Sequence, residues 1–176
     1  AELLAAHTDV TFNDRGLVFD GQALIDFLRG HTAAIVGLER LTLDILTAVP
    51  ELRLISKYGV GLDMIDLDAM AACGVKLSWT GGVNCRCVAE LTLAFMIALM
   101  HRLPEATGAV RAGEWRQIVG RQLSGKTIGI VGCGHVGKDV VRLLRPWDCR
   151  MLAHDIRDYP EFFFYLYVEH GDLHWL

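Results

Sequence analysis

Three glycines, Gly132, Gly134 and Gly137, stand in the spacing G-x-G-x-x-G. An apolar run over residues 127–131 precedes them, and Val136, Val140, Leu143 and Leu144 follow at three- and four-residue steps. A second apolar run, residues 151–153, leads to Asp155, eighteen positions after Gly137. The order is strand, tight turn, helix, strand and acid, the context a dinucleotide site demands. Gly132 suits a tight turn, Gly134 leaves no Cβ in the way of a pyrophosphate, and Gly137 lets the helix approach the strand. The helix start supplies free N–H groups and the positive end of a dipole. A carboxylate at Asp155 can accept hydrogen bonds from the ribose hydroxyls of NAD and would repel a 2′-phosphate. Arg157, just past the acid, could meet such a phosphate.

At 176 residues the chain is long enough for one good domain, or for one domain and part of another. Hydrophobic residues are 52% and charged ones 22%, which fits a soluble globular α/β protein. A net charge of -4 and the lack of any basic run argue against nucleic acid or an acidic membrane as partner. The five cysteines, Cys73, Cys85, Cys87, Cys133 and Cys149, show no metal-ligand spacing, so no metal site is expected. They read as reduced thiols of a cytoplasmic protein. The most apolar run, residues 91–100, is too short to span a bilayer and reads as a buried helix.

Taken in order, residues 1–6 resemble the end of a helix and residues 9–12 a short strand. Asp20 is placed to cap a helix over 21–29 that Gly30 stops. Strands are expected over 33–36, 52–56 and 75–79, and helices over 41–49, before Pro50, and over 66–73, between Asp66 and Gly74. Lys57 to Asp63 is a glycine-bearing loop. This alternation makes a first α/β unit with a parallel sheet, over residues 1–80. Thr80, Gly81 and Gly82 read as a hinge. Asn84 then caps a long helix to about Arg102, apolar around most of its circumference and so expected to be buried on more than one side. Pro104 and Glu105 open a further helix that Gly113 ends. Trp115 and Leu123 lie in a connecting arm before the nucleotide unit, so the second unit covers residues 81–176.

Five separated segments occur in an order that resembles the D-isomer-specific 2-hydroxyacid dehydrogenases, most closely their phosphoglycerate dehydrogenase-like branch. They are Ser56-Lys57-Tyr58-Gly59-Val60-Gly61-Leu62-Asp63-Met64-Ile65-Asp66, then Gly82-Val83-Asn84 with Val88-Ala89-Glu90-Leu91, then Gly113-Glu114-Trp115, Leu123-Ser124-Gly125-Lys126-Thr127, and the glycine motif. The resemblance implies a flavodoxin-like substrate domain followed by an NAD-binding Rossmann domain, incomplete here, and a homodimer built largely on the coenzyme domain. It implies that Tyr58, Gly59, Val60 and Gly61 present backbone N–H groups to the substrate carboxylate, with Val60 also near the nicotinamide. It places Gly132, Gly134, His135, Val136 and Gly137 against the pyrophosphate and Asp155 at the adenosine ribose. The activity implied is hydride transfer between NAD(H) and C2 of a D-2-hydroxy or 2-oxo acid, with D-3-phosphoglycerate among the candidates.

The family's catalytic Arg, its acidic partner and its catalytic His would lie beyond Leu176, so no catalytic residue is assigned in this chain, and the chain alone is expected to be inactive. Seven of the fifteen aromatic residues fall within the last eighteen positions. There the family has a short helix and then a sheet strand, which this aromatic-rich sequence does not readily trace after Phe163. A second function class stays open: an NAD(H)-sensing binding module of corepressor type that does not catalyse.

Overall fold

The computed structural model describes residue 6 and residues 9–175. The chain divides into two compact units, Ala1–Thr80 and Gly81–Leu176. Each is mixed α/β with its own three-stranded parallel sheet.

The first unit runs α1 (Gly21–Leu28), β1 (Ala33–Val36), α2 (Leu43–Ala48), β2 (Leu54–Lys57), α3 (Leu67–Ala72) and β3 (Lys76–Ser78). Its sheet order is β1-β2-β3. Helices start and stop where local chemistry says they should. The Asp66 carboxylate accepts from the Ala69 N–H at 2.9 Å, satisfying one of the first free donors of α3. Gly30 and Gly74, both at positive φ, end α1 and α3. Leu24, Leu41, Leu46, Leu52 and Ile55 form a fully buried core between sheet and helices. The strand expected over residues 9–12 is absent. That segment is irregular and pairs with none of the described strands, so no ladder takes its backbone hydrogen bonds. Its tie to the unit is a side-chain bond instead, Thr11 Oγ1 to His31 Nε2 at 3.0 Å. The helical end expected over residues 1–6 lies almost wholly outside the described residues.

The second unit opens with α4 (Cys85–Met100) and α5 (Leu103–Arg111), followed by β4 (Thr127–Val131) and α6 (His135–Leu144). A 3-10 turn, Arg145–Trp147, leads to β5 (Arg150–His154), α7 (Pro160–Leu166) and β6 (Val168–His170). The sheet order is β4-β5-β6. Helix α6 turns Val140, Val141 and Leu144 into the core and leaves Arg142 exposed. Each fully buried aliphatic side chain of this kind is worth about 1.5–3 kcal/mol.

Helix α4 departs from expectation. Its residues are apolar nearly all round, yet only Ala89 is buried, with Leu93, Met96, Ile97 and Met100 packed partly against the unit's core. Val88, Leu91, Phe95 and Leu99 remain exposed, Leu99 at 72%. One stripe packs toward α6 and the other lies exposed. The Asn84 side chain makes no capping bond either. What holds the start of α4 is charge. Arg86 Nε lies 3.1 Å from Oδ2 of Asp139, a buried acid on α6 that Arg142 also approaches at 3.6 Å. Among the described residues no single helix is long and apolar enough to cross a membrane.

The aromatic tail forms the short helix and the strand that its sequence obscured. Phe163 is buried, edge-on to Tyr159 and Phe162, and stacked on His170 at 4.7 Å. Strand β6 pairs in parallel with β5, and Arg150 donates twice, at 2.7 Å each, to Glu169 across that pair. The bonds from Arg150 hold the Glu169 carboxyl below its ordinary range. Their contribution is therefore present at neutral pH and lost as acid protonates Glu169. Between α7 and β6 stands Tyr167 at φ 54 and ψ 42, a left-handed conformation in the position where glycine usually ends a helix. Its ring is exposed and gains little there. We expect Tyr167→Gly to stabilise the chain by about 1 kcal/mol, read as a raised unfolding midpoint. A lowered midpoint would mean the ring makes a contact worth more than the strain.

Candidate functional site

The glycine turn is built by two constraints. Gly132 leaves β4 at φ 89, and its N–H donates to the His154 carbonyl at 2.8 Å, so the turn is stitched to the end of β5. Gly137 sits in the first turn of α6 directly beneath it. A Cβ there would collide with the Gly132 carbonyl oxygen. Glycine at this point is what lets α6 begin so close to the strand. Gly134 caps the helix differently: nothing lies within 4 Å of where its Cβ would be. The space that a phosphate needs is open. The first helical bond is Lys138 N–H to Gly134 O at 3.0 Å. The N–H groups of His135, Val136 and Gly137 therefore have no partner within the helix and gather at the positive end of its dipole.

Asp155 closes this cradle. One carboxylate oxygen accepts from the Cys133 N–H at 2.5 Å and the other from the Arg157 N–H at 2.8 Å. These bonds, the Arg157 one foremost, hold its carboxyl below the usual carboxylate range, with Arg157 and Lys138 adding positive charge nearby. The carboxylate stays ionised at neutral pH and keeps lone pairs for ribose hydroxyls. Cys133, between the first two glycines, is fully buried, and burial pushes its thiol up. It is a packing residue and a poor nucleophile.

Sequence reasoning did not find three neighbours of this turn. Cys133 contributes the N–H that Asp155 grips. Lys138 places its ammonium 3.1 Å from the centre of the Tyr159 ring, beside the acid. Gly82, at φ 74, packs on the turn: a Cβ there would stand 2.6 Å from Cγ of His135. The pair of glycines read as a hinge thus includes one that seats the first side chain of α6. The signal available was the glycine itself, but its neighbour lies 53 positions away (135 − 82).

In the first unit, the Tyr58 to Gly61 loop leaves the carboxyl end of β2. The Tyr58 N–H donates to the Val36 carbonyl at 2.8 Å, so it belongs to the sheet, while the ring is exposed. Gly59 is at φ 118, and the Val60 carbonyl accepts from Trp79 Nε1 at 3.0 Å. Among the described residues the N–H groups of Gly59, Val60 and Gly61 make no hydrogen bond, which leaves those three as the loop's donors. Lys57 Nζ donates to the Gly37 carbonyl, and Glu39 accepts from the Gly37 N–H, tying this loop to the one after β1.

A glycine turn, free N–H groups and a strand-end acid define the second unit as a dinucleotide-binding half of Rossmann type. Residues 93–173 match the model of the family described as D-isomer specific 2-hydroxyacid dehydrogenase, NAD binding domain, and the second unit belongs to that family. Over 124 residues the chain is 34% identical to a glyoxylate reductase of Thermofilum pendens, covering 67% of this chain and 37% of the relative. It is 31% identical to the D-3-phosphoglycerate dehydrogenase of Rattus norvegicus, covering 69% and 23%. The D-lactate dehydrogenase of Aquifex aeolicus, solved with NAD and lactic acid, superposes with a TM-score of 0.78 at 25% identity, over 85% of this chain and 46% of that one. The chain thus spans 37% and 23% of the length of those two curated relatives and 46% of that solved structure.

The two glycines predict opposite failures. Gly137→Ala should cost about 3 kcal/mol or more, because overpacking here pushes on backbone, and should show as a lowered unfolding midpoint. Gly134→Val should leave that midpoint within about 0.5 kcal/mol of the wild type and remove NADH binding, measured by fluorescence. Unchanged NADH affinity would remove Gly134 from the phosphate site.

Proposed function

We propose that the intact protein is an NAD-dependent oxidoreductase moving hydride between NAD(H) and C2 of a D-2-hydroxy or 2-oxo acid. The observation that carries this is the closed cradle of Gly134, the three free N–H groups at the start of α6, and the ionised Asp155 gripping the Cys133 N–H. The residues fit the cofactor. Gly132, Gly134, His135, Val136 and Gly137 would hold the pyrophosphate, and Asp155 the adenosine ribose, with NAD preferred over NADP. Bound NAD supplies the hydride chemistry. The loop of Gly59, Val60 and Gly61 would offer N–H donors to a substrate carboxylate, with Val60 also near the nicotinamide and Tyr58 contributing through its side chain. Relatives named as reductases and dehydrogenases of glyoxylate, hydroxypyruvate and phosphoglycerate support the enzyme over a non-catalytic NAD(H)-sensing module.

The first unit is read as the substrate domain and the second as the coenzyme domain. We also propose a homodimer through α4, whose Val88, Leu91, Phe95 and Leu99 form an exposed apolar stripe suited to a second copy.

Two measurements test these readings. The 176-residue chain should quench and shift NADH fluorescence but show no turnover with glyoxylate, hydroxypyruvate or pyruvate, since it offers no match to the family's catalytic Arg and His. General acid–base help alone is worth roughly 10²–10⁴-fold in rate. Turnover at ordinary enzyme rates would place a proton donor in this chain. In solution the chain should run as a dimer by light scattering, and Phe95→Asp should make it a monomer. A wild-type monomer would end the α4 proposal.

A further inference from the structure

The loop that carries three unpaired N–H groups in the first unit is gripped by an aromatic side chain from a neighbouring strand end. Trp79 follows β3 directly, and its Nε1–H donates to the Val60 carbonyl at 3.0 Å. A planar trans peptide points its C=O and its N–H in opposite directions, and no peptide among the described residues is cis. With the Val60 carbonyl turned toward the indole, the Gly61 N–H is sent away from it. Among the described residues neither group makes any other hydrogen bond. Trp79 alone therefore fixes this peptide by hydrogen bonding. A flip would turn ψ of Val60 and φ of Gly61, and glycine takes either sign of φ at little cost. It would put a carbonyl oxygen where the donor stood, and an arriving anion would meet an acceptor. Charge does not make up for such a loss. A Cβ on Gly59 would stand 3.9 Å from Nζ of Lys57, and one on Gly61 would stand 3.2 Å from Oδ2 of Asp63. One cation and one anion flank the loop, and the Lys57 ammonium already donates to the Gly37 carbonyl. Attraction for a carboxylate thus depends on where the N–H groups point.

We propose, on the reading of the Gly59, Val60 and Gly61 loop as the carboxylate site, that Trp79 is a positioning residue for the substrate: its indole N–H holds the Val60–Gly61 peptide with the Gly61 donor directed to the carboxylate. Trp79 touches no substrate and acts through the Val60 carbonyl. Its effect is on population, since affinity falls in proportion to the fraction of chains whose loop can bind. Trp79 is 44% exposed, so water can take its N–H when the loop turns, which makes the grip reversible.

The test follows the backbone amides of the full 176-residue chain by NMR as pyruvate is added, with sodium chloride at equal ionic strength as the control. In the wild type, pyruvate should shift the Gly59, Val60 and Gly61 amides along one binding curve, and chloride should not. Trp79→Phe keeps an aromatic ring and removes the donor. It should weaken pyruvate binding about fivefold, the net worth of one neutral hydrogen bond. The Gly61 shift should collapse while that of Gly59 persists, a split that general loosening after β3 would not produce. Trp79→Gln, which carries a side-chain N–H again, should restore the Gly61 shift. A second readout needs no variant and serves if Trp79→Phe fails to fold. A ligand favoured by the Trp79 bond must strengthen that bond by the same factor. Saturating pyruvate should therefore slow exchange of the Trp79 indole proton about fivefold. Unchanged exchange would overturn the proposal, as would a Trp79→Phe chain that binds pyruvate like the wild type with Gly61 still shifting. Equal loss of all three shifts with a lowered unfolding midpoint would make Trp79 structural only and overturn its positioning role. A wild type whose loop amides respond no more to pyruvate than to chloride would bring down the carboxylate reading of the loop, and the role of Trp79 with it.

Discussion

The second unit depends on how closely α6 can begin beneath β4. With Gly137 against the Gly132 carbonyl, the helix starts within one turn of the strand's end, and its three free N–H groups open toward the same space as Gly134. A larger residue at that contact would lift the helix off the strand and scatter those donors. Much else follows from the docking. It brings Val140, Val141 and Leu144 into the core, and it sets Asp139 against Arg86 at the start of α4. It also aims Lys138 at the edge where Asp155 stands.

Asp155 is the second link in that chain of constraints. The residue whose sequence position suggests ribose recognition also holds the loop, through the Cys133 N–H, and the start of the segment after β5, through the Arg157 N–H. Its charge is thus tied to the shape of the phosphate turn. The site is set in advance of any ligand, which lowers the ordering that binding must supply.

The two units use their apolar residues differently. In the first, sheet and helices bury Leu24, Leu46, Leu52 and Ile55 from both sides in a closed core. In the second, α4 commits one stripe to α6 and leaves another bare, and the exposed Phe164, Tyr165 and Tyr167 extend the apolar surface on α7 and just past its end. Helices that are apolar all round are buried somewhere. For α4 the missing cover is one side only, the side proposed above as the homodimer surface.

Local chemistry was legible in the residues. The G-x-G-x-x-G spacing, the strand before it, the helix after it and the acid beyond all follow from short-range rules of turn, cap and periodicity, and they appear where those rules put them. So do Asp66 and its helix, and the glycines that end α1 and α3. Contacts between distant residues were not legible. Residues 9–12 have strand-like composition, but a strand needs a paired partner, and none of the described strands pairs with them. After Phe163 the sequence does not trace a helix and then a strand, because its aromatics mask the alternation. Pairing with β5 and the burial of Phe163 decide them, at the expense of a left-handed Tyr167. Apolar composition said that α4 is buried; which side is covered depends on what stands next to it. Lys138 looked like any solvent-facing lysine of an amphipathic helix. Only when β5 comes to lie beside β4 does its ammonium share an edge with Asp155, because side-chain chemistry is read along the chain but electrostatics acts through space.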